Sequence, residues 1–264
     1  MLLLRDFKNI RMKLIFSLGV NVSHIKEEVI FQYHNFLHRK KIVMEKLKKS
    51  LEKGEVDSAI IPHLELINSL PFAYTTSSCA GRIILIDAPL HGAKHISKKV
   101  RVWHDTVEFN EVWDVIVNYQ PMNILWLKFE SFIISFNVAS IKWATFFIKL
   151  ARVLDLKESG IRSIAPESGY IVMDFMSTEK MCLPVALKNE IFVEKNYLEK
   201  VINIANLLMV RNKIRLDMLK ESLEFIKHWI LVENRKDPPP IKLFEPMVRK
   251  YKLRIRELVI EHLN

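Results

Sequence analysis

The chain has few cysteines and few glycines, and these shortages exclude several classes of site. Its two cysteines, Cys79 and Cys182, stand far apart and neither belongs to a CxxC pair, so neither a zinc-ribbon type of site nor a disulfide framework is predicted. Unpaired cysteines indicate a reducing, cytoplasmic setting. The six glycines never form a GxG pattern, which argues against a dinucleotide-binding fingerprint and a P-loop.

The sequence also lacks a run that would span a membrane well. An apolar stretch at residues 132–150 is interrupted by Lys142, Lys149 and several polar residues, so it would cross a bilayer poorly. The N-terminal residues have a short apolar core without a small-residue cleavage pattern. We therefore expect a soluble protein with no signal peptide and no membrane partner.

Positive charge is what the chain has in excess. Its 264 residues include 40 Lys and Arg against 30 Asp and Glu, a formal net charge of +10 with a pI near 9.5. Summed positive charge attracts polyanions whatever the fold, so nucleic acid is the leading partner. A thermophile-like basic surface without a ligand is the alternative. The 50% of apolar residues predict a globular protein.

The apolar periodicity predicts an α+β protein. Apolar residues recur at helical spacing in residues 26–51, 57–70 and 140–156 and in a long segment from 194 past 226. Asp57 is expected to cap the second of these helices. A short helix is predicted at NEVWDVIVNY, and ILWLKFE and FIISFNV are interpreted as a close strand pair. The order of elements favours a largely antiparallel sheet over βα alternation. The remaining predicted strands are RIILIDA, VRVWHDTV, IRSIA, YIVMDFM and MCLPVA.

Three consecutive prolines at residues 238–240 predict a boundary, because they cannot continue a helix and form a stiff connector. We expect an N-terminal extension of residues 1–30, a catalytic α+β domain of residues 31–232, and a Pro-rich linker with a basic C-terminal helix at residues 233–264. A helix docked on the core is favoured for the last segment, and an RNA-contacting helix is the alternative. Its apolar stripe consists of Phe244, Met247, Tyr251, Ile255 and Leu258.

The hydroxyl-rich stretch YTTSSCAGR at residues 74–82 precedes the strand RIILIDA. Ser77 and Ser78 offer hydroxyl groups, Gly81 permits a close approach of the backbone, and Arg82 offers a planar fork. This set suits a phosphate or a carboxylate. From the spacing alone a structural turn is favoured, since such turns before strands are common. Cys79 has no adjacent base, so a buried thiol is favoured over a nucleophile.

An imidazole and a carboxylate are adjacent at His104 and Asp105. Such a pair can relay a proton, but neighbouring strand residues point to opposite faces, so only one of the two is expected to face a pocket. His91 and His95 lie in the preceding loop. Exposed loop histidines are favoured there over metal ligands, and no metal is predicted.

Several motifs together resemble a known family. The segment KGEVDSAIIPHLELINSLPFAYTTSSCAGRI resembles the signature of the wybutosine-synthesising protein 3 family of tRNA methyltransferases. Further motifs follow in the order that the family has them. The segment WHD at residues 103–105 resembles the family's SHD segment, and LKFESFIISFNV resembles its EPFILHV strand. The segments ESGI and ANLLMVRNKIR resemble its later motifs. Ser131 and Ser135 replace the proline and histidine of EPFILHV. The likeness covers about residues 36–223, and the order of the motifs is more specific than any one of them.

The resemblance implies an archaeal-type enzyme that transfers a methyl group from S-adenosylmethionine to N4 of a wyosine-type base. This tricyclic base lies beside the anticodon of tRNA(Phe). A catalytically silent RNA-binding protein of the same fold is the alternative. The resemblance also implies a largely antiparallel, barrel-like sheet with flanking helices and an internal β/α duplication. A faint likeness between SSCAGRIILI and KESGIRSIAP agrees with that duplication.

The resemblance further implies roles for individual residues. His104 or Asp105 is expected to accept the proton that the methylated nitrogen releases. Structural alternatives are a salt bridge for Glu130 and bridges to the sheet for the two asparagines. The residues expected to line the cofactor and substrate pocket are Ser77, Ser78, Cys79, Gly81, Arg82, Glu130, Asn206 and Asn212. The residues expected to contact the phosphates of the anticodon loop are Lys94, Lys98, Lys99 and Arg101, with the basic C-terminal helix.

Overall fold

The computed structural model describes residues 22–90, 94–165 and 168–263. The α-helices of this part of the chain are α1 (Val22–Glu52), α2 (Ile61–Ser69), α3 (Phe109–Asn118), α4 (Ile141–Val153), α5 (Lys195–Lys227) and α6 (Glu245–Leu263). None of them is both long enough and apolar enough to cross a membrane. The strands are β1 (Ala73–Cys79), β2 (Arg82–Ala88), β3 (Lys98–Trp103), β4 (Ile124–Glu130), β5 (Ile133–Val138), β6 (Gly160–Ala165), β7 (Tyr170–Met176), β8 (Lys180–Leu187) and β9 (Glu190–Ile191).

The strands form two sheets, in which every neighbouring pair is antiparallel. One sheet has four strands in the order β1-β5-β7-β6, and the other has five in the order β3-β2-β4-β8-β9. The predicted α+β class with antiparallel strands is confirmed. A closed barrel is not formed by the strands described. The internal duplication stays a prediction.

The predicted close pairing of ILWLKFE with FIISFNV is wrong, because β4 and β5 belong to different sheets. Only Ser131 and Phe132 separate these strands. The backbone N–H of Phe132 donates to the side-chain oxygen of Asn212 on α5 (2.8 Å) and so is not available to close a hairpin. The chain therefore passes directly from one sheet to the other.

The chain crosses between the sheets at three places, and α5 passes beside all of them. The crossings are residues 80–81, 131–132 and 177–179. The side-chain nitrogen of Asn212 donates to the carbonyl of Ala80 at the first crossing (2.7 Å), and Arg215 Nε donates to Glu179 at the third (2.8 Å). The Ser131 hydroxyl links the second crossing to the third. The two sheets consequently meet beside the middle of α5.

Helices cover one face of each sheet, and helix α1 also packs on the other face of the four-stranded sheet, where Phe36 contacts Tyr74 (ring centroids 5.0 Å apart). Helix α3 and the first half of α5 cover the five-stranded sheet, where Leu85, Leu127 and Phe129 are buried. Helices α2, α4 and α6 and the second half of α5 cover the four-stranded sheet, where Phe136 and Phe175 are buried. The opposite faces of the two sheets contribute few residues to these cores, and they converge at the crossings.

The C-terminal segment docks on the core, as the favoured interpretation predicted. Phe244, Val248 and Tyr251 are buried among residues of α4 and α5. The hydroxyl of Tyr251 donates to Glu221 (2.9 Å), and burial together with this carboxylate raises the pKa of Tyr251 to about 12. Helix α6 thus shares a core with the predicted catalytic domain, while the predicted boundaries at residues 30 and 232 stay predictions.

Candidate functional site

A groove of about 360 Å³ lies where the two sheets meet, and both sheets line it. Cys79 and Met176 come from the ends of strands of the four-stranded sheet. Arg82 and Glu130 come from the five-stranded sheet, where they lie side by side on β2 and β4. The groove therefore exists only because these strands change sheets at neighbouring positions.

The stretch YTTSSCAGR is mostly a strand, so its interpretation as a turn is wrong. β1 runs through Cys79, and only Ala80 and Gly81 form the crossing to β2. Gly81 has φ of +97°, and a Cβ there would lie 2.7 Å from the side-chain nitrogen of Asn212 and 3.2 Å from the carbonyl of Glu130. A glycine at this position is thus required by the protein's own packing.

Arg82 and Glu130 form the central charged pair of the groove. Both Nε and Nη2 of Arg82 lie 2.7 Å from one carboxylate oxygen of Glu130. Lys180 is the next residue of the same row on β8, and it pairs with Glu158. Because a guanidinium has five N–H donors, this contact holds Arg82 in place and leaves donors for an anionic group.

Asp57 belongs to the site, although the sequence predicts it as a helix cap. Its side chain caps no helix. One carboxylate oxygen accepts from the backbone N–H of Ala80 (2.9 Å), and the other lies 3.6 Å from Nδ1 of His104. The carboxylate therefore joins the first sheet crossing to the loop after β3.

Asp57, His104 and Cys79 form one compact cluster. Their ligand-type atoms all lie within 4.8 Å of one another, a spacing at which such groups can hold a metal ion. A polar contact between the Asp57 carboxylate and the His104 ring beside a neutral thiol accounts for the same geometry without a metal. Burial raises the pKa of the Cys79 thiol, which agrees with a neutral thiol and with the predicted absence of a nucleophilic role.

The loop after β3 brings His104, and not Asp105, to Cys79. Asp105 points to Lys213 on α5 (2.6 Å), and this hydrogen bond, with another from the backbone of Thr106, lowers the pKa of the carboxyl. Asn206 holds the same loop through both backbone groups of Val107, each at 2.9 Å. Asn206 and Lys213 thus fix the loop that carries His104.

Three other predicted pocket residues, Asn212, Ser77 and Ser78, do not line the groove. Asn212 is fully buried and bridges two sheet crossings, which matches its structural alternative. Ser77 is exposed on the same face of β1 as Cys79, and it lies opposite Ser135. Ser78 is on the other face of the strand.

The predicted phosphate contacts follow the edge of the five-stranded sheet. Lys98, Lys99 and Arg101 are exposed on β3, which is the edge strand. Lys94 lies in a short 3₁₀ helix (Lys94–Ile96) just before it, and its side chain, like His91, lies outside the described residues. Lys99 lies opposite Ile86 on the face that carries Arg82, whereas Lys98 and Arg101 lie opposite Asp87 and Leu85 on the helix-covered face, so the edge strand presents positive charge on both sides.

Sequence reasoning missed three basic or polar residues beside Glu130. They are Lys128, Lys180 and Cys182, which line the groove from β4 and β8. The strict alternation of ILWLKFE could have found one of them, because residues two apart on a strand share a face. Lys128 and Glu130 are such a pair.

The fold resembles those of two solved archaeal proteins. The structure of PH1069 protein from Pyrococcus horikoshii is similar with a TM-score of 0.68 and 35% identity, over 72% of this chain and 97% of that one. The crystal structure of a hypothetical protein from Aeropyrum pernix is similar with a TM-score of 0.56 and 28% identity, over 65% of this chain and 99% of that one.

Named relatives and a family model define the class further. A protein of Thermococcus kodakarensis is 36% identical over 72% of this chain and 94% of its own length, and it is named tRNA(Phe) 7-((3-amino-3-carboxypropyl)-4-demethylwyosine(37)-N(4))-methyltransferase 1. A protein of Pyrococcus horikoshii with the same name is 35% identical over 72% of this chain and 95% of its own length. The model of the family described as Methyltransferase TYW3 matches residues 38–225. The chain belongs to this methyltransferase family, which confirms the resemblance seen in its motifs.

Proposed function

We propose that this chain transfers a methyl group from S-adenosylmethionine to N4 of a wyosine-type base beside the anticodon of tRNA(Phe), in the cytoplasm. The names of the relatives support this reaction and substrate. The observation that carries the proposal is that Arg82 and Glu130 line one groove together with Cys79, and that the Cys79 thiol also belongs to the cluster that contains His104, in a methyltransferase family.

The groove residues fit the chemical groups of the cofactor. The Arg82 fork suits its carboxylate, and the Glu130 carboxylate, 42% exposed, suits its ammonium or ribose hydroxyls. Met176 and Ile133 offer apolar surface for the adenine. When bound, S-adenosylmethionine supplies an electrophilic methyl group on a sulfonium centre. The residues of the chain have to orient the two reactants and remove a proton.

His104 is our proposed proton acceptor. A ring nitrogen that carries hydrogen must lose its proton when it is methylated. Because Nδ1 of His104 faces Asp57, the other ring nitrogen, Nε2, is the one that can receive it. Asp105 is held by Lys213 and is therefore assigned a positioning role. A neutral Cys79 is compatible with direct transfer, which needs no covalent enzyme intermediate.

We assign the substrate RNA to the basic side of the groove. Lys98, Lys99 and Arg101, with Lys94 before them, offer positive charge along the edge strand. An anticodon-loop base is single-stranded and can be turned into a groove while lysines and arginines contact its phosphates. Binding should then weaken steeply as salt is raised. Affinity that is unchanged between low and high salt would contradict phosphate-based recognition.

The experiment that tests the proposal combines cofactor binding with product analysis. Isothermal titration with S-adenosylmethionine would compare the wild type with Arg82→Ala and with Arg152→Ala, a control at an exposed arginine on α4. Each protein would then be incubated with precursor tRNA(Phe), and the nucleosides would be analysed by mass spectrometry. We expect the wild type and the control to bind the cofactor and to add one methyl group, and Arg82→Ala to lose both.

A different pattern would identify the alternative. Wild-type protein that binds tRNA(Phe) but neither binds the cofactor nor changes the mass of any nucleoside would be an RNA-binding protein that retains the fold.

A further inference from the structure

The uncovered face of the five-stranded sheet extends away from the groove. On β4, Leu125, Leu127 and Phe129 are buried beneath the helices, while Trp126 and Lys128 alternate with them and point to the opposite side. Among the described residues, neither of these two side chains belongs to a helix-covered core. Trp126 and Lys128 are partly exposed on this face, beside the predicted RNA-binding edge, while Ile84 opposite Lys128 is buried.

The strand register shows what the open face carries. The row beside the groove contains Arg82, Glu130 and Lys180. Two residues farther along each strand, Lys128 lies between Ile84 and Cys182. The third row places Trp126 between Ile86 and Pro184, with Lys99 of the edge strand opposite Ile86. An aromatic side chain thus lies four residues along β4 from the groove, in the row that ends at Lys99 of the basic edge strand.

Trp126 is held in a fixed orientation. Its indole N–H donates to the carbonyl of Ala88 (3.0 Å). The ammonium of Lys128 lies 5.6 Å from the centroid of its ring. A fixed indole beside a cation is the combination by which proteins hold unpaired bases, because every base can stack on a π-face while the cation contacts a phosphate.

The charges of the face select a polyanion. Within the described part of the chain, Lys99 and Lys128 have no carboxylate partner. Glu130 is the one acidic residue of the three rows, and Arg82 already neutralises it. Two uncompensated ammonium groups flanking an indole match single-stranded nucleic acid better than a protein surface of mixed charge.

We propose that Trp126 and Lys128 form a binding site for an unpaired RNA base next to the nucleotide that enters the groove. Trp126 is four residues from Glu130, a separation of about 13 Å along a strand. Stacked bases are about 3.4 Å apart, so a base on Trp126 must be unstacked from the base in the groove and held apart from it. This inference rests on the proposed function, and it adds a second contact that reads a flanking base.

The test compares two substitutions that remove the same hydrogen bond. Trp126→Phe and Trp126→Leu both lose the indole N–H, but only phenylalanine keeps an aromatic face. Affinity for an anticodon stem-loop of tRNA(Phe) would be measured with each. We expect Trp126→Leu to weaken binding about tenfold or more and Trp126→Phe to stay within about threefold of the wild type. Trp229→Leu is the control, since Arg235 lies over that ring at 5.3 Å in the C-terminal segment.

The identity of the contact is tested with the RNA itself. Stem-loops that lack one base beside the modified nucleotide would be titrated with the wild type and with Trp126→Leu. The proposal predicts one position in the RNA at which loss of the base weakens binding by the wild type. With that RNA, the wild type and Trp126→Leu should have the same affinity. Lys128→Gln should lower the slope of log affinity against log salt by about one.

The possible failures are distinct. Suppose that circular dichroism shows Trp126→Leu to be folded and that this variant binds every stem-loop like the wild type. This result would overturn the flanking-base site. If both proteins still transferred the methyl group, the proposed function would remain intact. A wild type that binds no stem-loop at all would overturn both.

Discussion

A Cβ added to Gly81 would lie 2.7 Å from the side-chain nitrogen of Asn212, closer than real Cβ atoms approach other atoms. Asn212 is fully buried, and its amide binds the backbone of two sheet crossings. Helix α5 can therefore reach the first crossing only because residue 81 has no side chain. Arg82 follows directly, so the same contact positions the charged pair of the groove.

We expect Gly81→Ala to destabilise the protein by about 2–4 kcal/mol. Gly54→Ala is the matched control, because Gly54 also has a positive φ (+68°) but a Cβ added there would meet no atom within 4 Å. The control should lose only about 1 kcal/mol from backbone strain. Urea unfolding of both variants would measure the difference. Equal losses would show that contact with Asn212 is unimportant.

The sequence predicts elements that carry their own periodicity. The alternation of ILWLKFE marks β4, and the apolar stripe of the last helix marks the face that docks. The sheet crossings could not be predicted in this way. Two of the three depend on Asn212, which is 132 residues from Ala80 and 80 residues from Phe132. No local pattern reports a hydrogen bond over such a separation.

Asp57 illustrates the same limit within the site. An aspartate before a helix has the local pattern of a cap. Its actual partner, the N–H of Ala80, is 23 residues away. His104, by contrast, can be found from the sequence, because adjacent titratable residues are visible there. The sequence thus indicates individual candidates, and the three-dimensional arrangement decides between His104 and Asp105.

The roles of His104 and Asp105 can be separated by substitution. His104→Gln should lower the rate of methyl transfer about 100-fold or more if the imidazole accepts the proton, with little change in cofactor affinity. Asp105→Asn should cost less than about tenfold, because it only weakens an exposed ion pair with Lys213. Single-turnover rates and cofactor titrations would measure both. A larger loss in Asp105→Asn would reverse the assignment.

The two cysteines of the groove should differ in reactivity. Cys182 is exposed, whereas burial raises the pKa of the Cys79 thiol and disfavours its reactive thiolate. We expect iodoacetamide to modify Cys182 first near neutral pH and Cys79 only slowly, with its rate rising at higher pH. Peptide mass analysis over time would follow both sites. Faster labelling of Cys79, measured also in Cys182→Ser, would contradict a neutral, buried thiol.

Asp87 should make the stability of the protein depend on acid. This residue is 2% exposed, and although burial opposes its charge, N–H groups of Met122 and Asn123 and the hydroxyl of Tyr119 lower the pKa of its carboxyl. Its stabilisation is present above the pKa of the unfolded carboxyl, about 3.9, and is lost as the pH falls through the lower folded pKa.

Substitution tests this contribution. Asp87→Asn should lose about 1–3 kcal/mol at pH 7 and less at an acid pH below the lowered pKa of the folded wild-type carboxyl. Asp114→Asn, at an exposed position of α3, is the control. Urea unfolding at both pH values would give the comparison. A deficit in Asp87→Asn that is the same at both pH values would rule out the charge as its source.

Helix α5 contributes to both hydrophobic cores. Its first half, between Leu198 and Met209, packs in the core of the five-stranded sheet. Its second half, between Ile214 and Ile226, packs in the core of the four-stranded sheet. Melting of one core would leave half of a continuous helix without packing partners, directly joined to the half that still packs on the other core. The two halves should therefore unfold as a single cooperative unit. Because the groove lies on their boundary, ligand binding and global folding should be lost together in one transition.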